Sequence, residues 1–243
     1  MARFGYREVE PDEKTRLVNE VFESVAFRYD LMNDLMSFGL HRVWKRTFAL
    51  LAQLREGQCV LDLAGGTGDL ARLVRSKVGL EGQVVLCDFS NGMLTQGRDR
   101  LLDEGLTDIP VVQGNAVALP FESESFDRVL VGFGLRNFTN PSACLKEMYR
   151  VLRPGGLAVV LEFSQPAAWL EPLYHAYTHQ AVPKLGELVA GDRDSYRYLA
   201  ESIAVHPDQR TLREMMRAAG FASCQYFNLS AGIVAIHRGT RID

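Results

Sequence analysis

A mostly parallel β-sheet covered on both faces by helices is the fold class this chain predicts, and three observations carry the prediction. Cys59 to Leu63 is a nearly unbroken apolar run that passes into Ala64-Gly65-Gly66-Thr67-Gly68 and then, from Asp69, into a helical pattern. That is the strand, glycine turn and helix corner of a doubly wound nucleotide-binding sheet, its strand apolar because both faces are covered. Strand-like and helix-like segments then alternate regularly from Gln58 to Glu162, as parallel strands joined by crossover helices require. Two last strands, near 222–229 and 231–237, meet at Ser230-Ala231-Gly232 and make the sheet mixed. The expected architecture is α/β and Rossmann-like: a mostly parallel seven-stranded sheet with a C-terminal antiparallel hairpin, an N-terminal helical cap and a helical insertion after strand five.

Each element has its own signal. Residues 1–10 read as a loose arm. Pro11 to Tyr29 carries Leu17, Val21 and Val25 at spacing four, one face of an amphipathic helix. Tyr29 to His41 is rich in methionine and aromatics, and a helix carrying Trp44 follows. Core packing accounts for Leu31, Met32, Leu35 and Met36, but not for the polar Tyr29, Asp30, Asn33 and His41. The regular part places strands at 58–64, 83–88, 110–113, 126–131 and 157–162, with a helix over 69–78. Ser90 or Asn91 caps a helix that stops at Gly105, and Asn140-Pro141 starts another that ends before Arg153-Pro154-Gly155-Gly156. Pro166, Pro172 and Pro183 break the next region into short helices, read as a cover over the carboxyl ends of the strands. Pro207 opens a helix that closes at Gly220. The expected organisation is a single domain over 1–243: cap 1–54, ligand-binding core 55–164, inserted cover 165–206, and last helix with closing strands 207–243.

Composition narrows the class. With 243 residues, 47% hydrophobic and 23% charged, the chain has the make-up of a soluble globular protein with a substantial core. Net charge is −3 and there is no long basic run, so no nucleic-acid partner is expected. Cys59, Cys87, Cys144 and Cys224 are far apart and read as small hydrophobes of a reducing compartment. The charged N-terminus lacks the apolar core of a signal peptide, and no apolar run approaches the ~20 residues of a membrane span. A cytoplasmic protein, at most peripheral to the inner face of the membrane, is expected.

The glycine corner has two readings. Gly66-Thr67-Gly68-Asp69-Leu70-Ala71 fits the G-x-G-x-x-A form used for dinucleotides. Against it, Asp62 and Asp69 flank the turn where a pyrophosphate would sit, and their repulsion grows in a low dielectric. S-adenosylmethionine has no phosphates and carries an ammonium and a sulfonium, so the same carboxylates favour it. The expected cofactor site is then Asp62, Gly66, Thr67 and Gly68 at the turn, with Asp88 on the ribose hydroxyls, Phe89 stacked on the base and Asn115-Ala116 at the adenine edge. Gly132 and Gly134 permit close approach along strand four, although glycine there also marks bulges. Arg136-Asn137 places a cation at the mouth of the site, suited to an oxyanion. No metal is expected: His175 and His179 lie four apart, but no carboxylate set accompanies them. There is no Gly-x-Ser-x-Gly nucleophile motif.

Two longer blocks are more specific. Tyr29-Asp30-Leu31-Met32-Asn33 through Ser37-Phe38-Gly39-Leu40-His41-Arg42-Val43-Trp44 resembles the N-terminal motif of the ubiquinone/menaquinone biosynthesis C-methyltransferases, the demethylmenaquinone methyltransferase family. Arg150-Val151-Leu152-Arg153-Pro154-Gly155-Gly156 through Leu161-Glu162-Phe163-Ser164 resembles their second motif, and the blocks at 194–203 and 231–239 resemble further ones. The resemblance runs from about Phe22 to Gly239. It implies a Rossmann-like class I S-adenosylmethionine-dependent methyltransferase that methylates a ring carbon of a polyprenylated quinol: demethylmenaquinol, a methoxy-polyprenyl-benzoquinol, or both. By position it puts donor contacts on Thr67, Asp88, Asn115 and Ala116. Many members carry serine where this chain has Gly132, so a hydroxyl contact is missing here.

An aromatic carbon becomes nucleophilic when an ortho hydroxyl ionises, and a quinol hydroxyl titrates near ~10, so a cation beside the oxygen helps. Tyr29, Asp30, His41, Arg136 and Asn137 are the candidates to hold and deprotonate the quinol. Residues 163–206 and the segment near Met32 would line a groove for the isoprenoid tail. Peripheral contact with a membrane or with other quinone-biosynthesis enzymes, and a homodimer, are compatible with the sequence. The competing functions are a nicotinamide oxidoreductase, a methyltransferase for another hydrophobic acceptor such as a sterol or a phospholipid amine, and a non-catalytic subunit with a donor pocket.

Overall fold

In the computed structural model the first residues, expected as a loose arm, form an antiparallel hairpin of β1 (Ala2–Phe4) and β2 (Arg7–Val9). Ala2 and Val9 pair across it and are both buried, and the Phe4 ring stacks on Tyr198 with centroids 4.2 Å apart. The turn needs Gly5, at φ +58°, because a Cβ there would stand 2.1 Å from Glu201 Oε2. The structure describes residues 1–25, 33–34, 37–190 and 192–243.

After α1 (Pro11–Val25) and α2 (Leu40–Leu51) the α/β core begins. It comprises β3 (Cys59–Leu63), α3 (Asp69–Val78), β4 (Gln83–Asp88), α4 (Asn91–Asp103), β5 (Val111–Gln113) and β6 (Phe126–Gly132). It continues with α5 (Pro141–Val151) and β7 (Leu152–Phe163). Three helices follow: α6 (Glu171–Ala176), α7 (Val182–Ala190) and α8 (Arg193–Val205), with a π-helical turn at Tyr177–Ala181 between the first two. The chain closes with α9 (Gln209–Ala218), β8 (Ala222–Leu229) and β9 (Val234–Thr240).

The seven strands lie in the order β5-β4-β3-β6-β7-β9-β8. All pairings are parallel except those of β9, which runs antiparallel to both β7 and β8. This is the Rossmann-like, mostly parallel sheet with a C-terminal antiparallel hairpin. Period-two alternation splits the core in two. Leu61, Leu63, Val129 and Val131 pack toward Leu145 and Met148 of α5 and Met216 of α9. Val60, Leu86, Leu130 and Leu161 pack toward Phe48 of α2 and the Leu70 and Val74 side of α3. Each fully buried side chain of this kind contributes roughly 1.5–3 kcal/mol.

Helix starts follow local chemistry. Ser90 Oγ accepts from the Met93 N–H at 3.4 Å and caps α4; Asn140 Oδ1 accepts from Ala143 N–H at 3.0 Å and caps α5, with Pro141 in its first turn. Three boundaries differ from the expected ones. Strand β7 starts at Leu152, not 157, because a register shift between Phe126 and Arg128 carries the pairing through Pro154-Gly155-Gly156. Strand β9 starts at Val234 because Ser230–Gly232 coil into a short 3-10 turn, with Ser230 and Ala231 at φ 47° and 53°. Helix α9 starts at Gln209, capped by Asp208 rather than opened by Pro207.

Strand order reverses between β3 and β6, which leaves a crevice beyond their carboxyl ends. Helix α1 is tied to the loop after β6: Lys14 Nζ donates to the Phe138 carbonyl at 2.7 Å, and Thr15 Oγ1 meets Thr139 Oγ1 at 3.1 Å. Burial lowers the Lys14 ammonium to about 8.

Candidate active site

Two cavities open from this crevice. The first, about 120 Å³, lies over the carboxyl ends of β3, β4 and β6 and is closed by α1 through Thr15, Val18, Asn19 and Phe22. Gly66, Thr67, Asp88, Phe89, Asn115, Ala116 and Gly132, all read from the sequence as donor-site residues, line it. Asp62 and Gly68 do not. Gly68 is the residue from which α3 starts, and Asp62 lies wholly buried behind the turn, where its Oδ2 accepts from the Ala71 N–H at 2.8 Å. The missing Cβ of Gly65 explains that geometry, since it would stand 2.7 Å from Asp62 Oδ2 and 2.3 Å from Leu86 Cδ1.

The carboxylates here are unusual. Burial pushes the Asp62 carboxyl up to about 7 against the Ala71 N–H and Lys45, with Asp88 and Asp69 adding repulsion. Asp88 is lifted by burial above the usual carboxylate range, although Ser90 and Gly66 N–H groups donate to its two oxygens at 2.9 Å. Burial would lift Asp69 too, but Lys45 and Arg72 beside it hold its carboxyl low. Phe89 is 45% exposed and lines the cleft. Asn115 Oδ1 accepts from the Val117 N–H at 3.1 Å, so this side chain also serves its own turn. At Gly132 a Cβ would lie 2.5 Å from Leu70 Cδ1: Leu70 occupies the space a side chain would need.

The second cavity, about 410 Å³, is bounded by α2, the 3-10 turn Leu135–Asn137 and helices α6 to α8. Its walls are largely aromatic and aliphatic, including Trp44, Phe133, Phe163, Tyr174, Tyr198 and Ile203. Phe22, Lys45, Phe133 and Asn137 line both cavities and form the wall between them.

Its polar groups differ from the expected arrangement. Arg136 is not an isolated cation. Its Nη1 donates to Glu162 Oε1 at 2.8 Å, its backbone N–H donates to Glu162 Oε2 at 3.2 Å, and both side chains are buried. The pair is close to neutral as a unit, and the guanidinium carbon lies 5.2 Å from the Phe163 ring centroid. Arg136 Nε is buried with no hydrogen-bond partner among the described residues. Asn137 Oδ1 accepts from the Tyr198 hydroxyl at 3.0 Å. His41 lines the cavity, and its Nε2 lies 2.7 Å from Asp34 Oδ1, while Nδ1 is buried without a partner among the described residues. Hydrogen bonds from Arg42 and His41 hold the Asp34 carboxyl down at about 2. Burial pushes the Tyr174 and Tyr198 phenols up. Tyr29 and Asp30, the remaining candidates, lie outside the described residues, as do Leu31, Met32, Leu35 and Met36 of the methionine-rich segment.

Sequence reasoning missed Lys45, Glu162 and the contribution of α1. Lys45 was hidden because its only signal is a place on one face of a helix, and Glu162 because it reads as the polar end of a buried strand.

The sequence profile of the ubiE/COQ5 methyltransferase family matches residues 9–241. The chain is 57% identical over 241 residues to the ubiquinone/menaquinone biosynthesis C-methyltransferase UbiE of Xanthomonas campestris pv. campestris, covering 98% of this chain and 95% of that protein. It is 56% identical over 238 residues to the protein of the same name from Coxiella burnetii, with 97% and 95% covered. The fold is shared with a crystal structure of a SAM-dependent methyltransferase from Thermotoga maritima, at TM-score 0.67 and 21% identity over 92% of this chain and 99% of that one. With a matching profile over nearly its whole length and relatives of this identity, the chain belongs to the ubiE/COQ5 methyltransferase family.

Proposed function

We propose that the protein transfers the methyl group of S-adenosylmethionine to a ring carbon of a polyprenylated quinol, converting demethylmenaquinol to menaquinol, a methoxy-polyprenyl-benzoquinol to its methylated product, or both. The protein is a methyltransferase and its donor is S-adenosylmethionine. The observation that carries the acceptor reading is the shared wall: a small acidic cleft opens beside a much larger apolar cavity, and Phe133 and Asn137 face both.

The cleft residues suit the donor. Asp69, held ionised by Lys45 and Arg72, lines it together with Asp88, an acidic lining that favours a ligand bearing an ammonium and a sulfonium and opposes a pyrophosphate; Asp62 lies behind it. In this reading Asp88 takes the ribose hydroxyls, Phe89 stacks on the base and Asn115-Ala116 meet the adenine edge, supported by their all lining the cleft. Gly66, Thr67 and Gly132 give close backbone approach, and Asp62 with Gly68 acts from behind the turn. When bound, S-adenosylmethionine supplies an electrophilic methyl group.

The cavity residues suit a quinol ring with an apolar tail. Arg136, neutralised by Glu162, serves as an oriented donor to the ring oxygen rather than as a bare charge, and Asn137 is held by Tyr198 beside the donor cleft. Among the described residues His41 is the candidate base: Asp34 fixes its ring through Nε2, and Nδ1, buried without a partner among the described residues, is the nitrogen left to accept a proton. The Tyr174 and Tyr198 phenols, raised by burial, are poor bases. Tyr29 and Asp30 remain candidates to hold the ring. The work of these groups is to position the ring carbon, deprotonate its ortho hydroxyl and exclude water.

Phe38 and Leu173 line the cavity and are 80% and 69% exposed, with Trp169 nearby in sequence at 76%. No helix among the described residues is long and apolar enough to cross a membrane. Peripheral contact through these side chains gives a lipid-borne tail a route in. F38E with L173E should abolish flotation with anionic lipid vesicles; unchanged flotation would remove this part of the proposal.

The test of the whole reading is transfer of labelled methyl to chemically reduced demethylmenaquinone and, separately, to reduced methoxy-polyprenyl-benzoquinone. Turnover of either supports it and names the pathway. Donor binding without methylation of either ring would sink the acceptor assignment.

A further inference from the structure

We infer that Lys45 and Asp69 form a clamp for the amino-acid end of the methyl donor, Lys45 taking the α-carboxylate and Asp69 the α-ammonium. This rests on the donor reading above. Among the described residues Lys45 is the only basic side chain lining the donor cleft, and it also lines the acceptor cavity. Its Nζ lies 2.5 Å from Asp69 Oδ2, and the pair is largely withdrawn from solvent.

Position assigns the ends. Asp88, Phe89 and Asn115 line only the donor cleft, so the nucleoside belongs there. The methyl group must face the acceptor cavity, across the wall that contains Lys45, Phe133 and Asn137. The sulfonium joins nucleoside and amino acid, so the amino acid extends from that wall, where Lys45 and Asp69 are the opposed charges at hand. A zwitterion placed between them exchanges one internal ion pair for two, and no charge is left buried alone. Asp69 keeps a second partner throughout, since Arg72 Nη2 donates to its Oδ1 at 2.9 Å. Its carboxylate therefore stays ionised whether or not ligand is present.

The test is calorimetric binding of S-adenosylhomocysteine and of 5′-methylthioadenosine, which lacks the amino acid, to wild type, K45M and K45R. K45M should weaken S-adenosylhomocysteine by about 10- to 100-fold and leave 5′-methylthioadenosine within about twofold, with K45R recovering most of the loss. Retained binding of 5′-methylthioadenosine also reports an intact cleft. Should K45M not fold, the decarboxylated analogue of S-adenosylhomocysteine on wild type and K45R keeps the question open to refutation: it should bind wild type about tenfold more weakly than the parent ligand. Equal weakening of both ligands by K45M, no weakening, or full affinity of the decarboxylated analogue overturns the clamp while the donor site stands. Failure of wild type to bind either nucleoside overturns the donor site itself.

Discussion

The two cavities share a wall and are built on opposite principles. The donor cleft is made mostly of a glycine turn and strand ends, with Asp88 lining it and Asp62 behind it, and both carboxylates accept from backbone N–H groups of Gly66, Ser90 and Ala71. The acceptor cavity is made of side chains from distant segments, with aromatic walls and the buried ion pair of Arg136 with Glu162. Affinity for a constant ligand tolerates a site fixed by local geometry. A bulky apolar ring and tail require surface area, which only long side chains from several helices provide.

That contrast predicts different failures on the two sides. The largest belongs to the acceptor side. R136M strands the Glu162 carboxylate in an apolar wall and should cost about 3–5 kcal/mol of stability in urea unfolding, with turnover lost. A cost under about 1 kcal/mol, the range of an exposed pair, would mean that Glu162 is not held as a buried charge.

Next is Asp62, whose carboxyl sits at about 7 instead of 3.8 because it is buried. The folded protein holds a proton that the unfolded chain releases, so the contribution of this position to stability falls as pH rises from about 4 to about 7. D62N removes that slope, and from about pH 5 to about pH 8 its stability should improve relative to wild type by on the order of a few kcal/mol. Parallel pH profiles would show that Asp62 ionises normally.

A smaller effect tests how tightly the turn is packed. G65A drives a Cβ against Leu86 and Asp62 and should cost about 1–3 kcal/mol, and it should weaken donor binding while quinol affinity is unchanged. The smallest is Y198F, which takes the donor from Asn137 Oδ1 and should cost about 1 kcal/mol. Steady-state kinetics should place that loss in the KM for the quinol, with the donor KM unaltered; a change in the donor KM alone would put Asn137 on the other side of the wall.

The same contrast explains what the sequence made legible. The cleft was readable because its determinants are contiguous: Gly65 to Asp69 follow β3, Asp88-Phe89 end β4, and Asn115-Ala116 follow β5. Asp62 and Gly68 belong to the same motif but do not line the cleft, a distinction that spacing does not carry. On the acceptor side Arg136 was visible as a cation, but its neutralisation was not, because Glu162 is twenty-six positions away. Lys45 reaches Asp69 only because α2 packs across α3. The N-terminal hairpin escaped notice because its strands are three residues each and Phe4 finds its partner in Tyr198, far along the chain.

The central claim is that donor and acceptor occupy separate cavities that meet at one wall, and a plug in one of them tests it most directly. Leu199 lines the acceptor cavity from α8 and does not line the donor cleft. L199W should therefore leave S-adenosylhomocysteine binding within about twofold of wild type in calorimetry and lower methyl transfer to the reduced quinone at least about tenfold. Loss of donor binding in step with transfer, or full transfer with the cavity filled, would contradict the account.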